Sequence, residues 1–171
     1  MNEPGTDRFL PVNGARLRVD VQGEGRSIYT HHGAPGLGTH ATPKRAFAPL
    51  SDSYRVISFD ARGSGESSLH PPYTHAQWVA DLDGLRAHFG DEHIILTGGS
   101  YGGYVALEYT LAHPERVTHL ILRDTAASRR FEDLARANAL ARAHAYPGIT
   151  EELLHRVFSG RVRDDDDMRE I

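Results

Sequence analysis

Apolar and polar residues alternate at the start of the chain. In residues 15–21 the apolar side chains Leu17, Val19 and Val21 fall on one face of an extended strand, and residues 8–12 form a similar short run. Between them sits Asn13-Gly14, a dipeptide that accepts the positive φ angles of a two-residue turn, so the pattern predicts a β-hairpin. Gly23-Glu24-Gly25 ends the second strand, and residues 27–30 start a third that runs into His31-His32-Gly33-Ala34-Pro35-Gly36. Residues 41–50 have weak helical periodicity, with Pro43 tolerable in a first turn. Residues 54–59 (YRVISF) then predict a strand, closed by Asp60 and a Gly/Ser-rich loop over 61–68.

Beyond Pro71-Pro72 the period changes. Trp78, Leu82, Leu85 and Phe89 recur at spacings of three and four, which predicts an amphipathic helix over 74–89 with Gly90 as its stop. Residues 93–97 predict a strand, 100–113 a helix ended by Pro114, and 117–122 (VTHLIL) another strand. Strands alternating with helices across short loops imply right-handed crossovers and a mostly parallel sheet. From Ala126 onward only helical composition is seen, through 129–158. The expected fold class is therefore α/β, with residues 1–126 as one unit and 127–171 as a helical one.

Composition narrows the function without naming it. The 171 residues carry a formal net charge of -4, with 39% hydrophobic and 25% charged residues, which suits a globular chain with a solvated surface. No basic stripe is present, so nucleic acid is not an expected partner. No cysteine occurs, which excludes thiolate nucleophiles and disulfides. No apolar stretch approaches the roughly 20 residues of a membrane span. The first eight residues lack the basic and apolar segments of a signal peptide, so the expected compartment is the cytoplasm and no membrane partner is expected.

Three loops carry the chemistry. Gly98-Gly99-Ser100-Tyr101-Gly102 lies directly between a predicted strand and a predicted helix, the context that a G-x-S-x-G nucleophile elbow requires. A serine on such a tight turn projects its hydroxyl from the sheet edge, and Gly98 and Gly102 leave room where backbones close up. The helix that starts there directs its N–H groups toward a developing oxyanion. His32-Gly33-Ala34-Pro35-Gly36 and Asp60-Ala61-Arg62-Gly63-Ser64-Gly65-Glu66-Ser67 follow two other strands, so all three loops fall at the carboxyl edge of the sheet.

These motifs resemble the α/β-hydrolase superfamily, and within it the proline iminopeptidase family of serine peptidases. That family's H-G-G-P-G, D-x-R-G-x-G-x-S and G-G-S-W-G motifs read here as HGAPG at 32–36, DARGSGES at 60–67 and GGSYG at 98–102. The resemblance covers residues 8–126. It implies the N-terminal part of an α/β-hydrolase fold with the start of a helical cap. It further implies Ser100 as nucleophile, and oxyanion donors on the backbone of Tyr101 and of Ala34 or Gly33. His32, Pro35, Gly36, Gly98 and Gly102 would shape the loops. The implied substrate is a small peptide or a small amide or ester, with no cofactor and no metal. Two positions depart from the family pattern: Ala34 stands for a glycine and Tyr101 for a tryptophan. Both weaken the expectation of strict N-terminal proline preference, and neither removes a backbone donor.

A serine hydroxyl needs a histidine to take its proton and a carboxylate to orient that histidine. In α/β-hydrolases both follow the serine in the chain. After Ser100 only His113, His119, His144 and His155 occur, and none follows a later strand. Asp124 is the one acid at a suitable strand end. The acidic run Asp164-Asp165-Asp166-Asp167 lacks the glycine and spacing of a calcium loop. The expected source of acid and base is thus a second polypeptide or a further C-terminal segment. An esterase, amidase or lactonase on the same scaffold, a non-catalytic binding module and an inactive fragment are the rival readings.

Overall fold

The computed structural model describes residues 8–128, 130–146 and 148–159. The run 164–167 lies outside them. The described chain divides into two compact units at Ala127/Ser128.

In the first unit, β1 (Arg8–Val12) and β2 (Ala15–Gln22) form the hairpin that the alternation predicts. Asn13 at φ 46 and Gly14 at φ 79 supply its turn. β3 (Ser27–His31), β4 (Arg55–Phe59), β5 (Ile94–Gly99) and β6 (Val117–Arg123) complete a six-stranded sheet of order β1-β2-β4-β3-β5-β6. β2 pairs antiparallel with β4, and the pairs β3/β4, β3/β5 and β5/β6 are parallel. β3, β4 and β5 thus point their C-terminal ends, and the three motif loops that follow, to the same edge.

Side chains of the central strands alternate between two apolar layers. Tyr29, Ile57, Ile94 and Leu96 join Leu17, Leu82, Leu85 and Tyr109 in one core, while Ile28, Val56 and Ile95 join Phe47 in another. The first core takes in residues of α2 (His75–His88) and α3 (Tyr101–Ala112), the second takes in α1 (Ala41–Phe47), so the sheet is covered on both faces. Trp78, Leu82 and Leu85 are the buried face of α2, as their spacing predicts. Thr74 caps that helix by accepting from the Gln77 N–H, and Gly90 follows it at φ 69.

α1 is shorter than the 41–50 pattern predicts. It ends at Phe47 and tightens into a 3₁₀ turn over Ala48–Asp52, because Pro49 has no N–H to continue the α-helical ladder. β6 forms the last strand of the described sheet, and unlike β3 to β5 it is not buried on both faces: Ile121 and Leu122 are about 40% exposed. The second unit contains α4 (Phe131–Ala141) and α5 (Glu151–Ser159). No helix among the described residues is long and apolar enough to cross a membrane.

Candidate active site

Ser100 sits at the hinge between β5 and α3, as the N-cap residue of the helix, with φ 52 and ψ -125. A non-glycine residue there carries strain of about 1–3 kcal/mol that the surroundings must hold. Two close approaches hold it. A Cβ on Gly98 would overlap the Gly102 carbonyl and lie 2.6 Å from its carbon, and one on Gly102 would lie 2.6 Å from the His31 carbonyl oxygen. The turn closes this tightly only because both are glycine. The Ser100 N–H donates to the Arg123 carbonyl at 2.9 Å, tying the turn to the end of β6.

The loop after β3 lies against the serine. A Cβ on Gly33 would be 2.9 Å from the Ser100 Cβ and 3.4 Å from its Oγ, so the Gly33 backbone borders the hydroxyl directly. Ala34 adopts φ 47, the left-handed conformation that the family's glycine takes freely. Its carbonyl accepts from the N–H groups of Leu37 and Gly38, which curls the loop, and the Gly36 N–H donates to Ser64 Oγ at 2.8 Å.

His32 is fully engaged by backbone. Its Nδ1–H donates to the Gly33 carbonyl at 2.7 Å, and its Nε2 accepts from the Ala61 N–H at 2.9 Å. That arrangement requires the neutral ring and leaves no lone pair for Ser100. Burial likewise lowers its pKa, and that of the neighbouring His31 to about 3. His31 donates from Nδ1 to the His32 carbonyl, and its Nε2 is buried without a partner among the described residues.

Beneath this loop lies a pair that no motif signalled. The His40 N–H and Nδ1 both donate to Asp60 Oδ1, at 2.7 and 2.8 Å, and the Glu66 N–H donates to Oδ2 at 2.9 Å. Burial acts to raise the Asp60 pKa, but these donors outweigh it and hold the carboxyl below its ordinary value. Loops 32–40 and 60–67 are therefore one hydrogen-bonded body.

His32, Gly33, Ala34, Ser100, Arg123 and Asp124 are among the residues that line a cleft of about 320 Å³. Arg123 enters it from the end of β6, its guanidinium 4.9 Å from the centre of the Phe47 ring, a contact that sequence periodicity cannot reveal. Asp124 adopts φ 46 beside it. The remaining histidines of this unit that follow the serine lie away from the cleft. His113 caps the far end of α3, and His119 pairs with Ile95 near the start of β5. Among the described residues no group of three or more His, Asp or Glu side chains is placed to hold a metal.

Comparison with known proteins bears on the fold and the sequence family. Residues 27–158 match the family model described as the alpha/beta hydrolase fold. A proline iminopeptidase of Pestalotiopsis fici is 41% identical over 150 residues, which cover 85% of this chain and 53% of that relative. A proline iminopeptidase of Xylella fastidiosa is 39% identical over 111 residues, covering 63% of this chain and 35% of the relative. The chain thus spans about half the length of these relatives, or less. Among solved structures, a Vigna radiata epoxide hydrolase superposes with TM-score 0.65 at 26% identity, over 69% of this chain and 38% of that one. A meta-cleavage product hydrolase of Pseudomonas fluorescens superposes with TM-score 0.69 over 95% of this chain and 71% of that one; at 21% identity it is similar in fold alone. From its strand order, its strained serine turn and the matched family model, the chain belongs to the α/β-hydrolase fold family, and in sequence it is proline iminopeptidase-like.

Proposed function

We propose that Ser100 is the nucleophile of a serine hydrolase that cleaves amide bonds and releases an N-terminal residue, of proline type, from small peptides. The observation that carries this reading is the placement of Ser100 on a strained turn, at the start of α3 and on the wall of the cleft. Its Oγ attacks the scissile carbonyl carbon, and the carbonyl oxygen becomes an oxyanion facing the Tyr101 N–H and that of Ala34 or Gly33. Each such donor is typically worth about 2.7–4 kcal/mol. Collapse of the tetrahedral intermediate expels the amine and leaves an acyl-enzyme, which water hydrolyses.

The proton of Ser100 must go to a base, and His31 and His32 are both unsuited: His32 has both ring nitrogens engaged by backbone, and His31 is buried with its Nδ1–H held by the His32 carbonyl. In this reading the histidine and its carboxylate come from a second polypeptide or a further segment that packs beside β6. The names of the similar curated proteins favour the iminopeptidase substrate class, while Tyr101 and Ala34 broaden the acceptable acyl group.

Ser100→Ala in the complete enzyme should lower turnover of a prolyl reporter by at least about 10³-fold, the scale of losing a triad nucleophile. Unchanged turnover would falsify the assignment. Rates on prolyl, alanyl and acetyl-ester reporters separate an iminopeptidase from an esterase on the same scaffold.

A further inference from the structure

Side chains of α2 and α3 meet beside Ser100: His75 and Glu108, which belong to none of the three motifs, and Tyr101, which directly follows the serine. His75, the first residue of α2, lies with Nδ1 2.6 Å from Glu108 Oε1 and with Nε2 against the Tyr101 hydroxyl. An ionised carboxylate only accepts, so Nδ1–H donates to Glu108, while Nε2 shares the second hydrogen bond with the Tyr101 hydroxyl. Ring packing also joins Tyr101 to His75 and to its other neighbours. The Tyr101 ring meets His75 edge-on at 5.2 Å, Trp78 at 5.9 Å and Tyr104 at 5.8 Å between centroids. Trp78 is buried and donates from its indole to the Arg62 carbonyl at 3.1 Å, which anchors the assembly to the loop after β4.

Tyr101 directly follows Ser100, and the peptide between them carries the N–H that faces the oxyanion. That peptide belongs to the strained turn, so whatever restrains the Tyr101 side chain also restrains the donor. A tyrosine at this position has a hydroxyl to satisfy, and His75 satisfies it while Glu108 holds the imidazole from the other side.

We propose that His75, bridging Glu108 and Tyr101, is a positioning residue for acyl transfer at Ser100 and fixes the donor peptide between Ser100 and Tyr101. This role rests on Ser100 being the nucleophile.

The test uses the protein purified in its native assembly and a fluorophosphonate probe. The Ser100 oxygen displaces fluoride from phosphorus, forming an O–P bond as the P–F bond breaks, with the hydroxyl proton taken by the base. H75A and Y101F are each expected to lower the limiting rate of phosphonylation about tenfold, less than the roughly hundredfold cost of misplacing a group by about 1 Å. The half-saturating probe concentration should stay unchanged. The H75A/Y101F double variant should be no slower than the slower single variant, because both remove one link. H75Q, whose amide can still meet the tyrosine hydroxyl, should recover part of the rate. Amide hydrogen exchange at Tyr101 and Gly102 should quicken in H75A while exchange in β3 and β4 does not. Unaltered limiting rates in both single variants, or losses that add in the double variant, would overturn the positioning role and leave the nucleophile in place. Absence of label on the wild-type protein would overturn the nucleophile, and the positioning role with it; the exchange measurement would then report separately whether the bridge forms.

Discussion

Two residues at the candidate site depart from what local preference favours, and each has a measurable consequence. Ala34 holds φ 47, where an L-residue other than glycine is strained by about 1–2 kcal/mol. Ala34→Gly relieves that strain but gives the unfolded chain more freedom, worth about 0.4–1 kcal/mol. The net expectation is a gain of roughly 0.5 kcal/mol in urea denaturation; a loss of stability would show that the Ala34 methyl packs productively. His31 is buried and stays neutral down to about pH 3, whereas the unfolded chain protonates it near 6.5. Between those values the unfolded state binds the extra proton, so stability falls as pH drops, by up to ~1.4 kcal/mol per pH unit, and is flat above. His32, also lowered by burial, acts in the same direction. Denaturation curves from about pH 7 to pH 4.5 should show this slope, and H31N, which keeps a donor for the His32 carbonyl but does not titrate, should reduce it. An unchanged slope in H31N would assign the acid sensitivity elsewhere.

At the scale of elements, the glycine-rich loop after β4 is held by an ion pair at its base. Arg62 is 1% exposed and grips Asp81 of α2 with two parallel bonds, Nε to Oδ2 and Nη2 to Oδ1, both 2.8 Å. Its guanidinium also donates to the carbonyls of Asn13 and His70, so one side chain joins the hairpin turn, the loop and the helix. Arg62→Ala leaves a buried carboxylate unpaired and should cost about 3–5 kcal/mol, whereas the R62M/D81L double variant, which removes both charges, should cost markedly less. Equal losses from the two would show that Arg62 acts mainly through its backbone-directed bonds. Much of this level is legible in the sequence. The Asn13-Gly14 turn, the Trp78-Leu82-Leu85 face and the serine between strand and helix each have a local signature. Pairings between residues far apart in the chain do not. Asp81 sits in the amphipathic α2 pattern as an ordinary polar residue, and nothing near His40 or His75 signals Asp60 or Tyr101, because those contacts exist only once the sheet brings distant loops to one edge. The end of α1 at Phe47, short of the 41–50 pattern, has a local cause, the missing N–H of Pro49.

At the scale of the molecule, β6 separates the settled part of the fold from the proposed part. The central strands β3, β4 and β5 bury apolar side chains on both faces, as a parallel sheet between helix layers does. In β6 Ile121 and Leu122, adjacent residues that point to opposite faces, both remain about 40% exposed. Arg123, on the same strand, borders the cleft with its Nε buried and without a hydrogen-bond partner among the described residues. An apolar edge of this kind, beside a cleft in which the described residues place no base, is where the completing half of the proposed enzyme would pack, supplying side chains to both faces of β6 and a histidine to the Ser100 cleft. Native mass measurement of the purified protein should then show a species heavier than the 171-residue chain by a polypeptide of about 100 residues or more, the length of a small domain. Leu122→Lys should abolish that heavier species while leaving the circular dichroism of the chain unchanged, because the side chain is not part of the described cores. A wild-type protein that runs at the mass of the chain alone, in native and denaturing conditions alike, would remove the second polypeptide from the mechanism. A single polypeptide that shows the heavier mass in both conditions would instead place the base on a further segment of the same protein.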